Sequence, residues 1–152
     1  MADKYTNEYS KAFIQRPSEL VEAGLTNGRL RQALVTFTAA AELATADDVF
    51  LYRLPQGARV MDMRVKSPDW GTTGACNIGW RASVDGVEVA DADGFFAALD
   101  CNTAAVDAKL GAIAPGWGKK FASPVDIMLK PTAASTALTG LSIVVQIVFV
   151  VD

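Results

Sequence analysis

From Ala33 onward the side chains of this chain alternate with a period of two, and that alternation limits the fold more than any other feature. A strand sends successive side chains to opposite faces, whereas a helix brings back the same face every three to four residues. Val35 and Phe37 alternate with Thr36 and Thr38, the pattern of a half-buried strand. Val49 to Leu54 reads as a nearly continuous apolar strand, and Leu54-Pro55-Gln56-Gly57 as the turn after it, with proline presetting one dihedral and glycine supplying the permissive one. In the next strand, Ala58 to Lys66, Met61, Met63 and Val65 are expected to face inward and Asp62, Arg64 and Lys66 outward. Val60 is out of phase with that set, which predicts a β-bulge near Val60 and Met61.

The pattern continues beyond the turn-rich stretch Ser67 to Gly74. Cys76, Ile78, Trp80 and Ala82 alternate with Asn77, Gly79, Arg81 and Ser83, and Asp85-Gly86 signals a hairpin returning through Val87 and Val89. Asp91 to Leu99 is expected to form a helical turn or irregular loop that buries Phe95, Phe96 and Leu99. Ala104 to Ile113 stays ambiguous between helix and strand, and Val125 to Lys130 reads as a strand closed by Pro131. Leu141 to Val151 is apolar on both faces, which predicts a central strand covered on both sides or paired at a subunit interface. Seven or eight short strands without alternating helices indicate an all-β, antiparallel β-sandwich. A jelly roll is the favoured member, and periodicity alone leaves an immunoglobulin-like sandwich open, although the cysteine pair around a buried tryptophan is missing.

Residues 1–30 have neither period. Tyr5, Tyr9, Phe13 and Ile14 are spaced irregularly among polar residues, Pro17 to Ala23 has the signals of about two helical turns, and Asn27-Gly28 reads as a turn. The segment is therefore assigned as an N-terminal arm, with those four side chains as candidate contacts to a partner or a neighbouring subunit, and residues 31–152 as the sandwich domain. A frayed terminus or a strap over its own sandwich are the other readings. A chain of 152 residues, half of them apolar, has enough material for one core, burying roughly 70% of the unfolded surface without a disulfide or metal.

The chemistry of the side chains excludes more than it suggests. The absence of histidine removes the Ser-His-Asp and Cys-His systems and the commonest ligand of zinc, copper and non-haem iron. Fourteen basic and seventeen acidic residues give a net charge of −3, and the basic ones are scattered apart from Lys119-Lys120, so no groove for nucleic acid is expected. The first eight residues lack an apolar signal region, and Leu141 to Val151 is about half the length of a membrane helix, so a soluble protein made in a cytoplasm and independent of membranes is expected. Cys76 and Cys101 are read as two reduced, buried thiols.

Three further patterns are weak. Asp91, Asp93, Gly94 and Asp100 occupy places of a calcium-binding loop, but its first place is Val89 and its last an Asp where Glu is wanted. Gly116-Trp117-Gly118-Lys119-Lys120 lacks both the first glycine and the hydroxyl residue of a phosphate loop. Paired carboxylates of a glycosidase would need a spacing in space that no sequence reveals. The chain is therefore expected to be no enzyme and to carry no cofactor or metal. Trp70 and Trp117, each beside glycine, are candidate platforms for stacking on a glycan or anchoring an interface.

The run Val49-Phe50-Leu51-Tyr52-Arg53-Leu54-Pro55-Gln56-Gly57-Ala58-Arg59-Val60 resembles one in small structural proteins of tailed phages, where a strand, a Leu-Pro-x-Gly-Ala turn and a second strand precede a glycine-containing segment. Asn77-Ile78-Gly79-Trp80 stands in that later place, and Asp91-Ala92-Asp93-Gly94-Phe95-Phe96-Ala97-Ala98-Leu99 is similar to an acidic link bearing Phe and Ala. Over residues 33 to 100 the chain thus resembles the tailed-bacteriophage capsid decoration, or head cement, proteins. The resemblance implies a jelly-roll virion protein, assembled in the host bacterial cytoplasm, that binds the major capsid protein on the outer capsid surface, commonly as a homotrimer. The arm matches nothing in that pattern. A glycan-binding jelly-roll module of a head or tail fibre is the alternative, with Trp70 and Trp117 as its stacking residues.

Overall fold

The computed structural model describes residues 30–83, 86–102 and 104–151. Its eight strands are β1 (Arg31–Thr38), β2 (Val49–Leu54), β3 (Ala58–Ser67), β4 (Ala75–Ala82), β5 (Asp91–Asp100), β6 (Val106–Lys109), β7 (Val125–Ala133) and β8 (Ser142–Val151). They form two four-stranded sheets, ordered β1-β8-β3-β6 and β2-β7-β4-β5, and every pairing is antiparallel. The pairs nest: β1 with β8, β2 with β7, β3 with β6, and β4 with β5. A long hairpin rolled over itself produces this nesting, and rolling adds the β3–β8 and β4–β7 ladders that join the pairs into sheets. The order fits the eight-stranded jelly roll expected from the strand pattern.

Inward residues at period two from both sheets make the core. Ile143, Val145, Ile147 and Phe149 of β8 meet Val60, Met63 and Val65 of β3 in one layer, and Leu54, Ile78, Ile127 and Leu129 lie opposite in the other. At about 1.5–3 kcal/mol for each buried aliphatic side chain, a slip of one residue in any central strand would forfeit several such terms.

Several expectations change on contact with the tertiary structure. The predicted bulge in β3 is present, since its register against β8 shifts between Val60 and Asp62. Met61, expected inside, is the residue that the bulge turns out to a half-buried position, and Val60 takes its place in the core. Asp91 to Leu99 is a strand, not a helical turn or loop: pairing with β4 overrides its weak local preference, at the cost of two register shifts and a positive φ of 46° at Ala98. The return strand expected through Val87 and Val89 is not formed. The last β4–β5 pair is Trp80 with Asp91, so Val87 and Val89 fall in a long connection, 81% and 85% exposed. Of Ala104 to Ile113, only Val106–Lys109 is strand. Strand β7 runs through Pro131 instead of stopping at it, because its pairing with β2 ends at Leu129 and a residue without an N–H is tolerated where one edge has no neighbour.

β8 is central, as expected, and its second face is only partly covered among the described residues, where Val150 is buried at its end. Val144, Gln146 and Val148 stay half-buried there, beside exposed Leu34 of β1. Tyr5, Tyr9, Phe13 and Ile14, the Pro17–Ala23 turns, Asn27-Gly28 and Asp85 lie outside the described residues.

Candidate functional site

Two of the stretches that carry the phage resemblance, Asn77–Trp80 and Asp91–Leu99, meet at one side chain, Trp80. Its ring packs edge-on against Phe95 at 5.3 Å and against Phe121 at 5.3 Å, at interplanar angles of 65° and 69°. Two glycines make room for it. A Cβ on Gly94 would overlap the indole itself, and one on Gly116 would overlap Phe95 and come within 2.9 Å of Trp80. A third glycine, Gly79, lets β4 approach β5, since a Cβ there would overlap the backbone carbonyl of Asp91. Trp80 Nε1 donates to the carbonyl of Val89 at 3.0 Å, which ties the β4–β5 connection to the ring. Lys119 Nζ lies 5.7 Å from the Trp80 ring and 5.8 Å from Phe121, and pairs with Glu88 at 3.3 Å.

That arrangement accounts for Gly116-Trp117-Gly118-Lys119-Lys120 as packing. The amides a phosphate would need are used within the fold: Gly116 N donates to the Gly94 carbonyl at 2.7 Å and Gly118 N to that of Val60 at 2.8 Å. Asp91 and Asp100 stand at opposite ends of β5, about 30 Å apart for an extended strand, so they cannot share the one ion of a curled calcium loop. Burial and the neighbouring Asp93 push the Asp91 carboxyl above its ordinary range. Among the described residues no three His, Cys, Asp or Glu side chains gather as a metal would require.

The two candidate stacking residues have different environments. Trp70 is 0% exposed: its Nε1 donates to Ser67 Oγ at 2.7 Å, its backbone N to the Cys101 carbonyl at 2.9 Å, and its own carbonyl accepts from Thr136 N at 2.7 Å. With no face toward solvent, the ring pins the Ser67–Gly74 loop to the sandwich and offers no platform. Trp117 is 44% exposed on the β6–β7 connection, which also displays Ile113. Cys76 and Cys101 are buried free thiols, and the hydrogen bond between them together with burial holds Cys76 protonated, well above the ordinary thiol range.

The residue that sequence reasoning missed is Glu42. Its Oε2 accepts from Ser135 Oγ at 2.6 Å and Leu138 N at 3.0 Å, and its Oε1 accepts from Thr139 N at 2.9 Å and Thr139 Oγ1 at 2.6 Å. One carboxylate thereby fastens the β1–β2 connection to the β7–β8 connection. No local signal marks it, because its partners lie more than ninety residues away. These donors, the Ser135 and Thr139 hydroxyls foremost, lower its pKa from 4.5 to about 2. A folded-state pKa below the unfolded value stabilises the protein above pH 4.5, and that contribution is lost as pH falls from about 4.5 to about 2. Thermal melts across that range should show the loss, and Glu42→Gln should melt lower at neutral pH while losing this part of the acid dependence.

Exposed apolar side chains gather in two places among the described residues, besides Phe50 and Tyr52 on β2. At one end, Val87 and Val89 project from the β4–β5 connection and Ile113 and Trp117 from the β6–β7 connection. On the open face of the β1-β8-β3-β6 sheet, Leu34, Val144 and Val148 adjoin an ionic network in which Arg64 donates two bonds of 2.6 Å to Asp107, with Lys66 3.9 Å from Asp107 and Lys109 3.7 Å from Asp62.

No family model matches the chain, and no curated protein matches it. Solved structures do. A chain in a structure of the capsid of Ralstonia phage GP4 superposes with a TM-score of 0.65 at 17% identity, covering 82% of this chain and 86% of that one. A chain in the capsid asymmetric unit of cyanophage Pam1 superposes with a TM-score of 0.61 at 15% identity, covering 93% and 99%. The whole sandwich described here is thus a fold shared with chains of two phage capsid structures.

Proposed function

We propose that this chain is a structural, non-enzymatic protein of a tailed-phage virion, one that decorates the outer surface of the capsid and cements it by non-covalent contacts. The observation that carries the reading is the fold shared, over nearly the whole chain, with chains in two phage capsid structures. The sequence motifs of the decoration family support it. So does the fate of the chemically suggestive residues, since the glycine–tryptophan segments serve packing and the exposed apolar side chains sit on loops and on the outer strands β1 and β2. Cementing requires many modest contacts repeated over a lattice, where multivalency converts weak interfaces into durable ones. The partners in this reading are the major capsid protein and further copies of the chain, three to a unit, and the site of action is the virion after assembly in the bacterial cytoplasm. The glycan-binding alternative retains only Trp117 of its two platforms at the surface.

Capsids stripped of the protein provide the test. Full-length protein should co-sediment with them, and protein that stays in the supernatant at every concentration would overturn the reading. The arm is proposed to add contacts through Tyr5, Tyr9, Phe13 and Ile14. Ordering such a segment costs roughly 1–2 kcal/mol per residue, so it must gain contacts on binding. Deleting residues 2–24 should leave the melting transition nearly unchanged and weaken capsid occupancy at least about tenfold, or ~1.4 kcal/mol per copy. A truncated protein that fails to fold would place the arm in the core, and one that binds as well as the full chain would remove it from docking.

A further inference from the structure

Two open sheets have four outer edges, and each presents unpaired backbone N–H and C=O groups to any strand that approaches. Three of the four are blunted here. β2 breaks register between Phe50 and Tyr52, β5 shifts register twice against β4, and β6 is four residues long. β1 differs from all of them. It runs in unbroken register from Arg31 opposite Phe149 to Thr38 opposite Ser142, with neither proline nor glycine, and among the described residues β8 is its only partner strand. The open edge is about 27 Å long. Val35 and Phe37 pack against the core yet remain partly exposed, and Leu34 on the other face is 67% exposed.

We propose that the β1 edge pairs antiparallel with the same edge of a second copy across a two-fold axis, merging two β1-β8-β3-β6 sheets into one of eight strands. A second copy is favoured because the strand is self-complementary. With Leu34 on the axis, every residue from Leu30 to Thr38 acquires a partner: Leu30 meets the partner's Thr38, Arg31 the partner's Phe37, Gln32 the partner's Thr36, and Ala33 the partner's Val35. The one charged residue of the strand, Arg31, then lies beside an aromatic ring. Its own copy is six residues away, about 20 Å, so no like charges face one another. The contact is isologous and closes on itself. It stands independently of capsid binding. On a shell it would supply the two-fold contact that joins neighbouring three-fold units.

Sedimentation velocity over a concentration series tests this with the full-length protein, Leu34→Lys, Leu34→Glu and an equimolar mixture of the two variants. Leu34 is exposed, so both variants should fold, and melting curves verify that they do. The wild type should form a reversible dimer. Each variant alone places like charges directly opposite at the axis and should dissociate at least about tenfold more readily, and the mixture should recover association. The alternate β1 amides that point away from β8 should exchange more slowly as concentration rises. The proposal is overturned if the wild type is monomeric at all concentrations, if the variants associate as the wild type does, or if the mixture stays dissociated. Slow exchange, in a monomer, of the alternate β1 amides that point away from β8 would likewise overturn it, by showing that the chain's own residues cover the edge.

Discussion

Gly94→Ala is expected to cost about 3 kcal/mol, the upper part of the usual range for overpacking a core. The added methyl would overlap two carbons of the Trp80 ring, and the ring has nowhere to go, since Phe95 and Phe121 close on its edges and Nε1 is fixed to Val89. For a domain of this length that loss lowers the melting temperature by roughly 10 °C. Gly111→Ala is the control: a Cβ there meets nothing within 4 Å, so its effect should stay within about 0.5 kcal/mol. Equal melting temperatures for the two variants would show that Trp80 is not boxed in as described.

Trp70→Ala is expected to be more damaging still. The ring is wholly buried, and truncating a buried Trp typically costs about 3–5 kcal/mol through lost transfer energy and the cavity left behind. The hydroxyl of Ser67 loses its donor as well, and the loop that holds Cys101 and Thr136 through backbone bonds loses its anchor. Trp117→Ala should leave the melting temperature within a few degrees, because nearly half of that side chain already faces water. Chemical denaturation of both variants checks the contrast, and comparable losses would mean that Trp117 too is a core residue.

That pair of residues illustrates what could be read in advance. Both tryptophans stand beside glycine in turn-rich stretches, so local sequence treats them alike. What separates them is tertiary: Cys101 and Thr136 arrive from other parts of the chain to bond the Trp70 backbone and hold its loop against the sandwich. Glu42 was invisible for the same reason, because a carboxylate between two alanine-rich neighbours becomes a latch only when the β7–β8 connection folds over it. The glycines of the phage-like motifs were noticed as motifs, whereas their purpose depended on β4, β5 and the β6–β7 connection meeting around one ring.

The alternation of side chains determined, without further help, that the chain is all-β, that it folds as a two-sheet sandwich, where most strands lie, and that β3 carries a bulge beside Val60. Period-two burial is a local rule, and each strand obeys it whatever its neighbour. Only the tertiary structure decided that Asp91–Asp100 is a strand, that β7 passes through Pro131, and which strands stand at the four sheet edges. Those outcomes depend on the neighbouring strand: a ladder offered by β4 outweighs a weak local preference, and the absence of one past Leu129 removes the penalty for a missing N–H.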